Sequence, residues 1–178
     1  LVGEQEHMSQ FATDFLGALA PGDDSTFTPF SRPKLCSPSQ QLWATSTQVN
    51  FCAHAYPTVP MGHPDAAPLS VLGGFLRNGY LHRAIREQGG AYGGGAGQDN
   101  NSGAFRFFSY RDPRIEGTLD DFQASLVWLQ EGQHQWQQVE EAILGVVSGL
   151  DKPSSPAGEA KQNFHAELYG RGREEREA

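Results

Sequence analysis

Two side chains in this sequence stand where they could meet a peptide. They are Arg86 and Tyr92, in the stretch Arg86-Glu87-Gln88-Gly89-Gly90-Ala91-Tyr92-Gly93-Gly94-Gly95-Ala96-Gly97. A guanidinium binds a carbonyl or carboxylate through a planar fork of donors. A phenol donates one hydrogen bond, and a donor aimed at a developing oxyanion is worth about 3 kcal/mol. Gly90, Ala91, Gly93 and Gly94 carry little or no side chain, so another backbone can approach them closely. Together these residues suit contact with an extended peptide. A plainer reading uses the same residues. Arg86 would balance the dipole at the end of a helix, and Tyr92 would fill a gap beside a hairpin. Residue chemistry leaves both readings open.

Other chemistries find no motif. The six histidines are His7, His54, His63, His82, His134 and His165. None lies in H-E-x-x-H or H-x-x-E-H, and His165-Ala166-Glu167 lacks the second histidine. No zinc ligand set, and so no cofactor, is expected within this chain. No serine occupies G-x-S-x-G, and Ser109 and Ser148 read as ordinary strand and helix residues. The glycines follow a helix and lead into a strand, the reverse of the dinucleotide fingerprint. No G-K-[ST] occurs either. Cys36 and Cys52 are too few for a disulfide framework or a metal cage. Two free thiols in a reducing compartment are expected, with Cys52 in a buried strand beside His54. A single bridge between them is the alternative.

The elements that position these residues follow from periodicity and punctuation. Residues 3–19 have helical spacing at Met8, Phe11, Phe15, Leu16 and Leu19, ended by Pro21-Gly22. A polar, proline-marked connection follows from Asp23 to Pro38. Gln41 to Tyr56 alternates as a strand does, closed by Pro57 and Pro60. Pro64 opens a long helix in its first turn, with Asp65 beside it. Leu69, Leu72, Leu76 and Tyr80 mark its face, and Gly89-Gly90 stops it. Gly73, Gly74 and Gly79 each cost a helix about 1 kcal/mol relative to alanine, which predicts close packing of another element there. Ala91 to Ala96 reads as strand or loop, Asp99 to Ser102 as a turn, and Ala104 to Tyr110 as a strand. Phe105 and Phe107 should face one way and Phe108 and Tyr110 the other. Helices are expected over Leu119–Leu129, over Val139–Leu150 and over 158–170, with Phe164 and Leu168 at i,i+4. This order predicts an α+β fold: an antiparallel sheet flanked by helices, in one domain spanning 1–170, with a charged tail at 171–178.

The bulk numbers bound the rest. A chain of 178 residues buries roughly 70% of its unfolded surface, enough for one real core. The net charge of −8 argues against nucleic acid and anionic membranes, which select a basic face. No apolar run approaches a membrane span, and no signal peptide opens the chain. The chain starts at Leu1 rather than methionine, so it reads as part of a longer parent.

The block Leu81-His82-Arg83-Ala84-Ile85-Arg86-Glu87-Gln88-Gly89-Gly90-Ala91-Tyr92-Gly93-Gly94 resembles the C-terminal part of the pitrilysin/insulinase family of zinc metallopeptidases. The similarity is closest to its presequence-protease, or peptidasome, branch. Phe107-Phe108-Ser109-Tyr110-Arg111-Asp112-Pro113 resembles the next block, and His63-Pro64-Asp65-Ala66-Ala67 an earlier one. The resemblance implies four related α+β domains in two bowl-shaped halves around a chamber for unfolded peptides. This chain would be the fourth domain. The zinc and the inverted H-x-x-E-H motif would belong to the first domain of the parent. Arg86 and Tyr92 match the pair that reaches across to the substrate, Arg86 holding its backbone and Tyr92 stabilising the oxyanion. Gly90, Ala91, Gly93 and Gly94 would line the peptide. The implied partners are unfolded peptide and the other domains of the parent. The expected location is the cytoplasm of a bacterial-type source, with an organelle matrix as the alternative. A non-catalytic module that closes the chamber or binds a subunit is the second reading. On either reading the chain exposes an apolar surface that a sister domain covers.

Overall fold

A computed structural model describes residues 5–19, 38–150 and 153–168. The expected connection from Asp23 to Pro38 falls almost wholly outside them, as do Cys36 and the tail at 171–178. The fold is α+β. Its elements in order are α1 (Gln5–Ala18), β1 (Asn50–Pro57), α2 (Ala66–Leu76), a π-helical segment (Arg77–Gln88), β2 (Gly93–Asp99), β3 (Ala104–Asp112), α3 (Glu116–Glu131), α4 (Trp136–Leu150) and α5 (Pro156–Leu168). Residues 46–153 belong to one compact unit, whereas α1 and α5 belong to another.

The three strands form an antiparallel sheet in the order β1-β3-β2. Cross-strand pairs include Cys52 with Ser109, His54 with Phe107, Ala96 with Phe107 and Gly93 with Tyr110. Alternation sorts β3 as expected. Phe105 and Phe107 are buried at 5% and 1% exposure, whereas Phe108 and Tyr110 on the opposite face are 41% and 39% exposed. The inner face meets α2, the π segment and α3, where Leu76, Leu81, Ile85, Ala91, Ala96 and Phe122 complete the core with Cys52. Phe107 sits at its centre, 5.5 Å from the ring of Phe122 and 5.4 Å from that of Phe105.

The hairpin between β2 and β3 is built by its turn residues. The Oδ1 of Asp99 accepts the backbone N–H groups of Asn101 and Ser102 at 3.0 and 3.4 Å. Gly103 takes a left-handed φ of +65° and donates its N–H to the Asp99 carbonyl at 2.9 Å. That conformation suits glycine, and the aspartate side chain caps its own turn.

Three boundaries differ from the sequence reading. The alternation from Gln41 predicts a strand, yet β1 starts only at Asn50. Its sole partner, β3, ends at Asp112, the residue paired with Asn50, so the earlier residues have no ladder to join. Trp43 is accordingly 81% exposed. The long helix starts at Ala66 with Asp65 as its cap, so Pro68 rather than Pro64 takes the first-turn position where a missing N–H does no harm. From Arg77 the helix also winds more widely for 12 residues, in π geometry that no side-chain pattern announces.

The expected close approaches are present at Gly73 and Gly79, whereas a Cβ on Gly74 would make only ordinary contact with Ala142 at 3.9 Å. A Cβ on Gly73 would stand 2.7 Å from the Cα of Gly97 in β2, and one on Gly79 would collide with the Trp128 ring. Trp128 anchors an aromatic cluster with Phe75, Tyr80 and His134, at ring-centroid distances of 5.4, 5.9 and 4.4 Å. On α4 the apolar residues are only partly inward. Ala142 is buried and Val139 and Val146 are half-buried, whereas Trp136, Ile143, Leu144 and Val147 are exposed. On α5, Phe164 and Leu168 are exposed as well.

Candidate functional site

Arg86 and Tyr92 flank the turn that ends the π segment. Gly90 has a left-handed φ of +80°, the conformation that closes a helix at low cost when the residue is glycine. Its N–H donates to the Arg86 carbonyl at 3.1 Å, and the Ala91 N–H donates to the Ile85 carbonyl at 3.1 Å. Each bond spans one residue more than in a Schellman ending, as the wide winding of the segment requires. Arg86 lies in the last turn with its side chain exposed. Its guanidinium makes no hydrogen bond or ion pair with a described residue. Tyr92 is 63% exposed, and its hydroxyl is likewise without a described partner.

The glycine strip divides by neighbour. Gly90 is exposed. Ala91 is buried in the core, so its side chain is not available to a peptide. A Cβ on Gly93 would stand 2.5 Å from the Tyr110 hydroxyl, and one on Gly94 would stand 2.8 Å from the Phe108 carbonyl oxygen and 2.9 Å from Ile85. The small residues therefore serve the protein's own packing at Gly93 and Gly94. The Arg77 stem lies over Gly95 in the same way, 3.1 Å from where a Cβ would stand.

Beneath the turn runs a polar network that sequence reasoning did not single out. Asp112 is fully buried, and its Oδ2 accepts the Thr118 hydroxyl at 2.7 Å. Its Oδ1 accepts the Arg114 backbone N–H at 2.9 Å, and its carbonyl accepts the Asn50 side-chain amide at 3.1 Å. The Arg114 guanidinium bonds Asp121 at 2.8 Å and reaches the Ala84 carbonyl at 3.4 Å. It also occupies the space where Gly89 would carry a side chain. The end of β3, the start of α3 and the end of the π segment are thus tied through one arginine. The only sequence signal is the charged run Arg111-Asp112-Pro113-Arg114, whose partners lie on β1, α3 and the π segment.

Cys52 is a free, buried thiol. Burial pushes its pKa up, partly offset by the Ser109 side chain. Among the described residues no three His, Cys, Asp or Glu side chains are grouped to hold a metal ion. No described helix is long and apolar enough to cross a membrane.

Comparison with known proteins adds lineage to this geometry. Residues 40–178 match the family model described as the PreP C-terminal domain. The mitochondrial presequence protease of Yarrowia lipolytica is 38% identical over 142 residues, covering 80% of this chain and 14% of that protein. The mitochondrial presequence protease of Xenopus laevis is 43% identical, covering 67% of this chain and 12% of that protein. The one from Mus musculus is 40% identical, covering 68% and 11%. The chain therefore spans only about an eighth of the length of these relatives. It belongs to the presequence-protease C-terminal domain family, within the pitrilysin/insulinase metallopeptidases.

Proposed function

We propose that this chain is the C-terminal, non-zinc-binding part of a peptide-degrading metalloendopeptidase, and that Arg86 and Tyr92 form one wall of its peptide site. The observation that carries the reading is the exposure of both side chains on either side of the Gly90 turn, with no described hydrogen bond at the Arg86 guanidinium or the Tyr92 hydroxyl. The relatives are presequence proteases, and their names supply the reaction class and the substrate class. Arg86 is an always-charged donor that holds a peptide carbonyl. Tyr92 donates to the carbonyl oxygen as negative charge develops on it. On this reading zinc belongs to another part of the parent, because this sequence carries no H-E-x-x-H or H-x-x-E-H motif. The names of the relatives favour an organelle matrix over the cytoplasm expected from the sequence.

The second reading, a chamber-closing or subunit-binding module, rests on α4. Its exposed Trp136, Ile143, Leu144 and Val147 supply an apolar stripe of the kind a neighbouring domain covers. The two readings share the absence of a catalytic role for the isolated chain, and kinetics of the full-length parent separate them. Tyr92→Phe should lower kcat by about 100-fold with little change in KM, as loss of an oxyanion donor does. Arg86→Ala should raise KM. Unchanged kinetics in both variants would leave the module reading alone.

A further inference from the structure

Among the described residues, Arg111 is the one non-glycine residue with a positive φ, +51°. It sits where the ladder between β1 and β3 slips. Phe51 pairs with Tyr110 and Asn50 with Asp112, leaving Arg111 as an extra residue opposite neither. A bulge of this kind re-aims a side chain, and its left-handed position normally selects glycine. An arginine there bears a steric strain that glycine would relieve.

The strained residue faces Tyr92 in two ways. Its carbonyl accepts the Tyr92 backbone N–H at 3.3 Å. Its guanidinium carbon lies 5.6 Å from the centroid of the Tyr92 ring, within cation–π range. The Tyr110 ring, one residue earlier, stands 5.6 Å from the same ring on an adjacent register position. Tyr110 also fills the space above Gly93, which has no side chain to displace it. Tyr92 therefore has no described hydrogen bond at its hydroxyl, while its backbone and ring are both engaged by the bulge.

We propose that Arg111 is a positioning residue: the bulge at Arg111 and the Tyr110 ring form a seat that fixes the Tyr92 ring while leaving its hydroxyl free. The proposal rests on the peptide-site reading of Tyr92. It accounts for an arginine at a glycine-type position, because glycine would keep the bulge and lose the cation.

The test is a mutant cycle in the full-length parent. Arg111→Asn keeps a residue that tolerates the left-handed region and removes the cation. Arg111→Gly removes both cation and strain. Both should keep or raise the melting temperature. Both should lower kcat by about tenfold with KM within about twofold, because only orientation in the transition state is lost. Combined with Tyr92→Phe, neither should lower kcat further, since the seat acts through that hydroxyl. A purely structural bulge predicts that Arg111→Gly matches wild type in kcat, and that result overturns the proposal. Additive losses in the double variant overturn it as well, while leaving the peptide-site reading intact. If Tyr92→Phe alone is silent, the role proposed for the Tyr92 hydroxyl fails, and the seat fails with it.

Discussion

Gly73 in α2 and Gly97 in β2 meet backbone to backbone, with a Cβ on Gly73 falling 2.7 Å from the Cα of Gly97 and 3.0 Å from the Ala96 carbonyl oxygen. The contact is one-sided, because a Cβ on Gly97 would meet nothing within 4 Å. Alanine at Gly73 gains about 1 kcal/mol in helix propensity. It must also push a helix off a sheet, an overpacking that costs about 1–3 kcal/mol or more when the obstacle is backbone. Gly73→Ala should therefore destabilise the protein by about 1–2 kcal/mol, and Gly97→Ala should be close to neutral. Urea melts of both variants check the asymmetry. A stabilised Gly73→Ala variant would show that the interface has slack.

The buried carboxylate under the site gives a second test. Asp112 accepts the Thr118 hydroxyl at 2.7 Å in a place with no exposure. Thr118→Val keeps the shape and removes the donor, leaving an anionic oxygen without that bond. Such a loss costs about 1–3 kcal/mol. Thr118→Ser keeps the hydroxyl and should cost clearly less. The order Val worse than Ser, read from denaturant midpoints, is the prediction. The reverse order would assign Thr118 to packing rather than hydrogen bonding.

Much of this fold was legible because one-dimensional pattern and burial coincide. The alternation of Phe105, Phe107, Phe108 and Tyr110 gave the two sheet faces, and Gly73 and Gly79 announced close packing. The alternation at Trp43, Thr45 and Thr47 misled, because a strand needs a partner and β3 stops at Asp112. On α4 the apolar spacing gives the helix but not its inward side: Ile143 and Val147 lie on the exposed side, while small Ala142 faces in. A moment shared between two apolar stripes does not say which one the domain itself buries. Of the candidate site, Arg86 and Tyr92 stand out by type and spacing. Arg111 was not, because its conformation is set by a register slip against Asn50 and Phe51, about 60 residues away in the chain.

The β2–β3 turn should be sensitive to acid. The Ser102 side chain is the largest influence and holds the Asp99 pKa below its ordinary value; desolvation, the next largest, opposes it, and the Asn101 and Ser102 backbone N–H groups and the Arg106 guanidinium add to the lowering. A carboxyl whose folded pKa is depressed contributes stability that is fully present above its unfolded pKa. That contribution is lost as pH falls through the folded value. Stability of wild type should therefore decline below about pH 4, the ordinary carboxylate range. Asp99→Asn should be less stable at neutral pH and show a shallower acid decline. Urea midpoints from pH 6 to pH 2 measure both. Parallel curves for the two proteins would remove Asp99 from the acid response.

Cys52 should be chemically silent in the folded protein. Its thiol is buried, paired across the ladder with Ser109, and donates weakly to the Arg114 carbonyl at 3.7 Å. Burial is the largest influence on its pKa and raises it. The nearby Asp112 charge acts the same way, while Ser109 and Arg114 oppose them. Because the thiolate is the nucleophile, a raised pKa lowers the reactive fraction at neutral pH, and burial also blocks the reagent. Iodoacetamide at pH 7.5 should therefore leave the Cys52 peptide unmodified over minutes in native buffer and alkylate it rapidly in concentrated urea. Peptide-level mass spectrometry separates its signal from that of Cys36. Rapid native labelling would mean that β1 opens from β3 at low cost. That outcome would also weaken the seat proposed for Tyr92, because the bulge at Arg111 belongs to the same ladder.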